Sequence, residues 1–246
     1  MVISHVLFFT LGLLPSFAWL IFFLREDLHP EPKKIILKVF LSGFCITFAV
    51  IAIQFAFQDI LNFYKISGAS LLYLSIFALV EEILKFIAVY FVIRKCKFFD
   101  EPVDAMVYMI TAALGFAMLE NIAIMVSIAN ISEALGAITI RFVGATLLHA
   151  LSSGIVGYWW AKGLMSIKNS KSEPQSICDY PENVDTSKIW NQIIIGIVIA
   201  TVLHTLFNYL IIISEDVIIY PVIFLTIMAM FIFWDFEKIK SSTNNK

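Results

Sequence analysis

The chain has 246 residues, of which 60% are hydrophobic and 15% are charged, and its formal net charge is −2. A soluble domain normally has about a quarter of its residues charged. The composition therefore argues against a soluble enzyme, and the near-neutral charge without a densely basic stretch argues against nucleic acid as a partner.

Seven long apolar segments follow one another along the chain. Each is long enough to cross a hydrocarbon core of about 30 Å as a helix, and none has the alternating pattern of a barrel strand. The predicted fold class is all-α: a polytopic integral membrane protein of about seven transmembrane helices, with eight as the alternative count. The segments are residues 5–24, 35–57, 68–93, 103–129, 133–163, 189–213 and 217–235.

Lysines and arginines are concentrated on one side of this arrangement. They lie in or near the first, third and fifth connections and in the C-terminal tail, whereas the other side offers only Lys65. The positive-inside rule therefore predicts that the N-terminus is outside and the C-terminus is cytoplasmic. We expect a single membrane domain over residues 1–246, with the polar stretch 164–188 as a cytoplasmic loop.

Ionisable and amide side chains interrupt four of the apolar segments. Such groups are costly near the bilayer centre and normally face a bundle interior or a wet cavity, where they serve function. They are Glu81, Glu82 and Lys85 in LVEEILKF, Glu120 and Asn121 in GFAMLENI, Arg141 and His149 in RFVGATLLHALSSG, and His204 and Asn208 in VLHTLFNYL.

These groups share a depth in the bilayer. Counted from the predicted cytoplasmic ends at 1.5 Å per residue, Glu82, His149, His204 and Glu120 lie about 18 to 28 Å into their helices. Four helices thus bring polar groups to one layer, slightly towards the outer face. This agreement predicts one site.

Four motifs in this order, EEILK, FAMLEN, the His149 segment and HTLFN, resemble the PrsW family of intramembrane proteases over roughly residues 80–210. That family is similar to the CAAX prenyl endopeptidases and bacteriocin-immunity proteins, which have histidine where Glu120 stands here. The resemblance implies an intramembrane peptide hydrolase. The expected catalytic residues are Glu81, Glu82, Glu120, His149, His204 and Asn208, and the expected supporting residues are Lys85, Phe116, Asn121 and Arg141.

Two chemical versions of this site are open. In the first, a poorly solvated carboxylate acts as general base on water, and the resemblance favours Glu81 over Glu82 for that role. His204 and Asn208 would then donate hydrogen bonds to the oxyanion. In the second version, zinc is bound by Glu120, His149 and His204, a set with two histidines and one glutamate. We favour the version without metal.

The resemblance also implies the partners and the location. The substrate would be a single-span membrane protein of the anti-sigma-factor class, cleaved near the outer side of a bacterial plasma membrane, with the lipid bilayer as the surrounding solvent. Two alternatives remain open from the residues. A proton-coupled secondary transporter would also need intramembrane Glu, His and Lys, and a non-catalytic immunity-type protein would bind a partner without cutting it.

Overall fold

The computed structural model describes residues 2–27, 29–94, 96–128, 130–168, 186–214 and 218–244. Within these residues the chain forms eight helices and no β-strand. The helices are α1 Val2–Phe23, α2 Lys33–Phe63, α3 Leu71–Ile93, α4 Asp104–Ser127, α5 Ile131–Val143, α6 Ala145–Lys168, α7 Ser187–Ile213 and α8 Ile219–Asn244.

The helices have the length and apolarity that membrane crossing requires. Six stretches of the described residues qualify on both criteria, with α5 and α6 counted together. Helix α3 is also long enough, at 23 residues or about 35 Å, but it carries the ionisable residues Glu81, Glu82 and Lys85. Because these three side chains are buried in the bundle, they do not face lipid. The all-α, multi-pass fold predicted from the sequence is confirmed.

The fifth predicted segment, residues 133–163, is divided in two. Helix α5 ends at Val143, Gly144 has φ −105° and ψ −103°, and α6 begins at Ala145. A Cβ atom at Gly144 would lie 2.6 Å from the carbonyl oxygen of Ile140, so a larger residue does not fit this break. With 13 residues, α5 is about 20 Å long and too short to cross a bilayer alone.

Two ion pairs show which helix ends lie on the same side of the bundle. His29, which follows α1, pairs with Glu101, which precedes α4, at 2.9 Å. Lys240 near the end of α8 pairs with Glu26 just after α1 at 3.2 Å. The α1–α2 connection, the α3–α4 connection and the end of α8 therefore lie at one end of the bundle, which we call the α1–α2 end.

Helix α4 lies at the centre of the bundle against α1, α2 and α6. Its close approach to α2 depends on glycine: a Cβ atom at Gly43 would lie 1.9 Å from the carbonyl oxygen of Ala112, and one at Gly115 would lie 2.0 Å from that of Phe40. Small residues allow helix backbones in membranes to approach in this way. The contact fixes the register of α4 and so positions the polar residues that follow Gly115.

The stretch 164–188, which was predicted to be a cytoplasmic loop, is helical at both of its ends. Of residues 164–188, the first five extend α6 to Lys168, and α7 begins at Ser187. Residues 169–185 lie outside the described part of the chain.

Candidate active site

Three residues of α3 form the base of the site. Glu82 and Lys85 have 0% exposure and Glu81 has 7%. Their i,i+3 and i,i+4 spacing places them on one helix face, so that Lys85 Nζ lies 2.9 Å from Glu82 Oε1 and 3.9 Å from Glu81 Oε2.

Glu82 is the most completely bonded of these carboxylates. Besides Lys85, its Oε1 contacts His204 Nδ1 at 2.9 Å and accepts from the Ser152 hydroxyl at 3.1 Å. Its Oε2 accepts from the Ser153 hydroxyl at 3.4 Å. A buried charge is tolerated only when it is paired and hydrogen-bonded in this way. Glu82 therefore anchors α3 to α6 and α7.

His149 on α6 connects the lysine to a second carboxylate. Its Nδ1 lies 2.9 Å from Lys85 Nζ, and its Nε2 lies 2.9 Å from Glu120 Oε2. An ammonium group can only donate, so Nδ1 accepts from Lys85 and the ring proton is on Nε2, which donates to Glu120. The neighbours thus determine the tautomer of His149.

His204 on α7 is oriented by Glu82. Because a carboxylate accepts, the 2.9 Å contact requires Nδ1 of His204 to donate. The other ring nitrogen, Nε2, then faces Glu81 Oε2 at 3.7 Å. The two imidazole rings of His204 and His149 meet edge to face, with centroids 5.1 Å apart.

Glu81 differs from the other carboxylates because one of its oxygens is unsatisfied. Its Oε1 accepts from the side-chain amide of Gln54 on α2 at 3.1 Å. Its Oε2 is buried and has no hydrogen-bond partner among the described residues. Lys85 Nζ, His149 Nδ1 and His204 Nε2 surround that oxygen at 3.7 to 4.0 Å. Such unsatisfied buried groups are rare, and a catalytic role or a bound water or ion accounts for them.

Glu120, Asn121 and Arg141 form a rim beside this centre. Arg141 donates through Nη2 to Glu120 Oε2 at 3.1 Å and through Nε to Asn121 Oδ1. The amide of Asn121 donates in turn to the hydroxyl of Thr146 at 3.0 Å. Glu120 and Arg141 keep 28% and 16% side-chain exposure, so the rim is the more accessible part of the site.

Phe116 covers the site from α4. Lys85 Nζ lies 4.7 Å from the centre of its ring, within the range of a cation–π contact, and the ring centre lies 5.2 Å from that of His149. The phenyl ring keeps the charged groups away from the apolar core below.

The structure brings together nearly all of the residues that the sequence selected. Asn208 is the exception in its bonding: it lies half-buried on α7, one turn after His204, and makes no hydrogen bond to a described residue. The sequence analysis missed Gln54, for which the available signal was an amide within the apolar run of α2. It also missed the bonding of Ser152 and Ser153 to Glu82, since serines are common in packed membrane helices.

Within this site, three side chains are spaced to hold a metal ion. Glu81, His149 and His204 each offer a ligand atom within 4.8 Å of the other two, and all three are buried. Two histidines and one glutamate form a known catalytic zinc set. The unsatisfied Glu81 Oε2 and the carboxylates behind both histidines fit such a centre, because second-shell carboxylates orient metal-binding imidazoles. For His149 to bind the ion through Nδ1, its hydrogen bond with Lys85 would first have to break.

This set differs from the one predicted from the sequence, which contained Glu120 in place of Glu81. In the structure Glu120 lies on the far side of the His149 ring, where it contacts Nε2 and Arg141. The geometry therefore favours Glu81 as the third possible ligand.

Known proteins similar to this chain have one activity in common. The chain is 35% identical to Protease PrsW of Geobacillus kaustophilus (strain HTA426) over 163 residues, which cover 65% of this chain and 68% of that protein. It is 30% identical to Protease PrsW of Oceanobacillus iheyensis over 61% of this chain and 66% of that one. It is 28% identical to Protease PrsW of Bacillus subtilis (strain 168) over 65% and 70%, respectively. No solved structure matches the fold.

The model of the PrsW family of intramembrane metalloproteases matches residues 31–234, which include every residue of the site described above. The matched region, the apolar helices and the buried polar centre agree with the resemblance that the motifs indicated. The chain therefore belongs to the PrsW family and is a multi-pass intramembrane protease of a bacterial cell membrane.

Proposed function

We propose that this protease hydrolyses a peptide bond of a membrane-anchored protein, with Glu81 as the residue that activates water. The observation that carries the proposal is the unsatisfied Oε2 of Glu81, which is buried and faces Lys85, His149 and His204 at 3.7 to 4.0 Å. These distances are too long for direct hydrogen bonds. The Glu81 oxygen therefore remains free to contact a reacting group among these polar neighbours.

Glu81 has the position of a general base. A water molecule held at Oε2 would lose its proton to Glu81 as it attacks the scissile carbonyl carbon, and Glu81 would then deliver that proton to the leaving amine. Gln54 holds the other oxygen and so fixes the direction of the carboxylate. The side-chain amide of Asn208, which has no partner among the described residues, would donate to the developing oxyanion.

The remaining charged residues position these groups. Glu82 holds Lys85 and His204, and Glu120 holds His149. This arrangement keeps a positive charge and an imidazole nitrogen next to Glu81 without allowing either to form a direct hydrogen bond with Oε2. Preorganised groups of this kind stabilise charge as it develops during reaction.

The family description includes a metal, and this chain offers Glu81, His149 and His204 to hold it. A zinc ion there would acidify water and polarise the scissile carbonyl. Glu82 and Glu120 would keep the two histidines oriented in either case.

The substrate that fits is a single-span membrane protein, of the anti-sigma-factor class that the family resemblance implies. Glu81 is ten residues from the start of α3 and twelve from its end, or about 15 and 18 Å. The site is therefore slightly nearer the end opposite the α1–α2 end. With the N-terminus outside, as the lysine and arginine distribution predicts, cleavage occurs towards the outer face.

The proposal is tested with the full chain in liposomes together with a single-span substrate carrying tags at both ends. Wild-type protein is expected to cleave the substrate, and Glu81→Gln is expected to lower the rate by about 10²- to 10⁴-fold. Glu133→Gln is the matched control, since Glu133 is exposed on α5 and lies outside the polar network. Equal rates for the two variants would refute the role of Glu81.

The role of metal is measured in the same preparation. If zinc is resident, it copurifies at one ion per chain, His204→Ala loses it, and a chelator abolishes cleavage. Full cleavage by metal-stripped protein would establish the version without metal.

A further inference from the structure

A second group of acidic side chains lies at the α1–α2 end, away from the active site. Asp27 follows α1, Glu31 precedes α2 and Asp104 begins α4, and one carboxylate oxygen from each lies within 4.8 Å of the other two. Asp27 and Asp104 are 6% and 1% exposed, and Glu31 is half-buried. We call these three residues the Asp27 cluster.

Each carboxylate of the cluster is oriented by donors that leave one oxygen available. The donors are the His29 amide to Asp27 Oδ1 at 3.0 Å, the Tyr108 hydroxyl to Glu31 Oε2, and the Asp100 and Glu101 amides to Asp104 Oδ2 at 3.1 and 2.8 Å. The second oxygen of Asp27, Oδ2, is buried and has no hydrogen-bond partner among the described residues. Asp27 is thus more than nine-tenths buried inside an acidic cluster, and one of its carboxylate oxygens has no hydrogen-bond partner there.

Among the described residues, no lysine or arginine neutralises the cluster. No ion pair in the described ranges joins a lysine or arginine to Asp27, Glu31 or Asp104. Three carboxylates brought this close destabilise one another unless protons or a cation neutralise them.

A route from outside reaches the cluster. A cavity of about 250 Å³ between α1 and α2 is lined by Asp27 and Glu31, together with apolar residues and Lys33. Lys33 does not form an ion pair with either carboxylate. The cavity therefore borders two of the three acidic residues of the cluster.

We propose that the Asp27 cluster binds a hard divalent cation of the Mg²⁺ or Ca²⁺ class. Carboxylate oxygens are the ligands that these ions prefer, whereas zinc favours nitrogen and sulfur. The bound ion joins the α1–α2 connection to the first turn of α4. Asp104 is sixteen residues from Glu120, or about 24 Å along α4, so this site is separate from the proteolytic one.

The test measures Mn²⁺ binding by electron paramagnetic resonance in purified, chelator-stripped full-length protein, with Mg²⁺ and Ca²⁺ as competitors. We expect the wild type to bind one ion that Mg²⁺ or Ca²⁺ displaces. Asp27→Asn is expected to weaken binding by on the order of tenfold or more. Glu133→Gln is the matched control and should bind as the wild type does, because Glu133 is exposed on α5 and lies outside the cluster.

Two further variants separate this proposal from folding and from the active site. Glu81→Gln should retain the competed Mn²⁺ site, which shows that the ion is not at the proteolytic centre. If Asp27→Asn does not fold, Glu31→Gln replaces it in the test, and this variant should also weaken Mn²⁺ binding. Absence of a competed Mn²⁺ site in the wild type, or equal affinity in the wild type and the cluster variants, would overturn the proposal.

Discussion

His204 Nε2 lies 3.7 Å from Glu81 Oε2, and neither atom has a hydrogen-bond partner closer than that within the described ranges. The two residues come from α7 and α3, and each is fixed from behind, His204 by Glu82 and Glu81 by Gln54. Two polar atoms at this separation can both contact one third atom, such as a water oxygen. This separation is the geometric basis for assigning hydrolysis to the site.

The Gln54 amide is expected to act as a positioning group for Glu81. Gln54→Leu removes a hydrogen bond to a charged group, an interaction of about 1.5–3 kcal/mol, so kcat should fall by about 10- to 100-fold with little change in KM. Gln58→Leu is the matched control, because Gln58 is one turn further along α2 and exposed. A Gln54→Leu enzyme with unchanged kcat would contradict the role.

Asn208 should affect catalysis without affecting stability. It makes no hydrogen bond to a described residue, so Asn208→Ala should leave the unfolding temperature in detergent unchanged. If its amide donates to the oxyanion, kcat should fall by about 10²- to 10³-fold. A lower unfolding temperature, or normal kcat, would show instead that Asn208 is a packing residue.

The Glu82–Lys85 pair should be mainly structural, and its two members should be strongly coupled. Both are fully buried, so Glu82→Gln or Lys85→Met alone should lower the free energy of unfolding by about 3–5 kcal/mol, because each leaves a buried charge unpaired. The double variant should be much more stable than the sum of the single effects predicts.

Denaturant unfolding in mixed micelles measures this coupling. Glu237→Gln is the control, since its side chain is 72% exposed and it breaks only the pair with Lys240, so it should change stability by about 1 kcal/mol or less. Strictly additive effects of Glu82→Gln and Lys85→Met would contradict the proposed structural role of the pair.

The contact between α2 and α4 should tolerate no side chain at Gly43. The Cβ atom of Gly43→Ala would overlap the carbonyl oxygen of Ala112, so the helices must separate, and we expect a loss of about 1–3 kcal/mol in unfolding free energy. Gly136→Ala on α5 is the control: nothing lies within 4 Å of its Cβ position, and the change should be neutral or stabilising by up to about 1 kcal/mol. Equal stabilities of the two variants would show that the close contact is not required.

Two kinds of feature could be predicted from the sequence: those that depend on residue spacing within one helix, and those that depend on the cost of placing charge in lipid. The face shared by Glu81, Glu82 and Lys85 follows from helical periodicity, and the common depth of Glu120, His149 and His204 follows from counting residues. Both features could be predicted because they need no knowledge of how the helices pack against one another.

Features that depend on contacts between helices could not be predicted in this way. Which glutamate completes the possible metal set with His149 and His204 depends on how α3, α4 and α6 rotate against one another, and the sequence selected Glu120 where the geometry favours Glu81. The break at Gly144 lies inside one long, mainly apolar segment, so hydropathy did not indicate it. The donor Gln54 comes from a helix outside the region of motif resemblance.

The most direct test compares binding and single-turnover cleavage of one single-span substrate by wild-type and Glu81→Gln protein in the same liposomes. Glu81 is proposed to activate water and not to bind the substrate. Glu81→Gln should therefore bind the substrate with wild-type affinity and cleave it at least about 100-fold more slowly. A cleavage rate within a few-fold of the wild type would contradict the assignment of hydrolysis to Glu81.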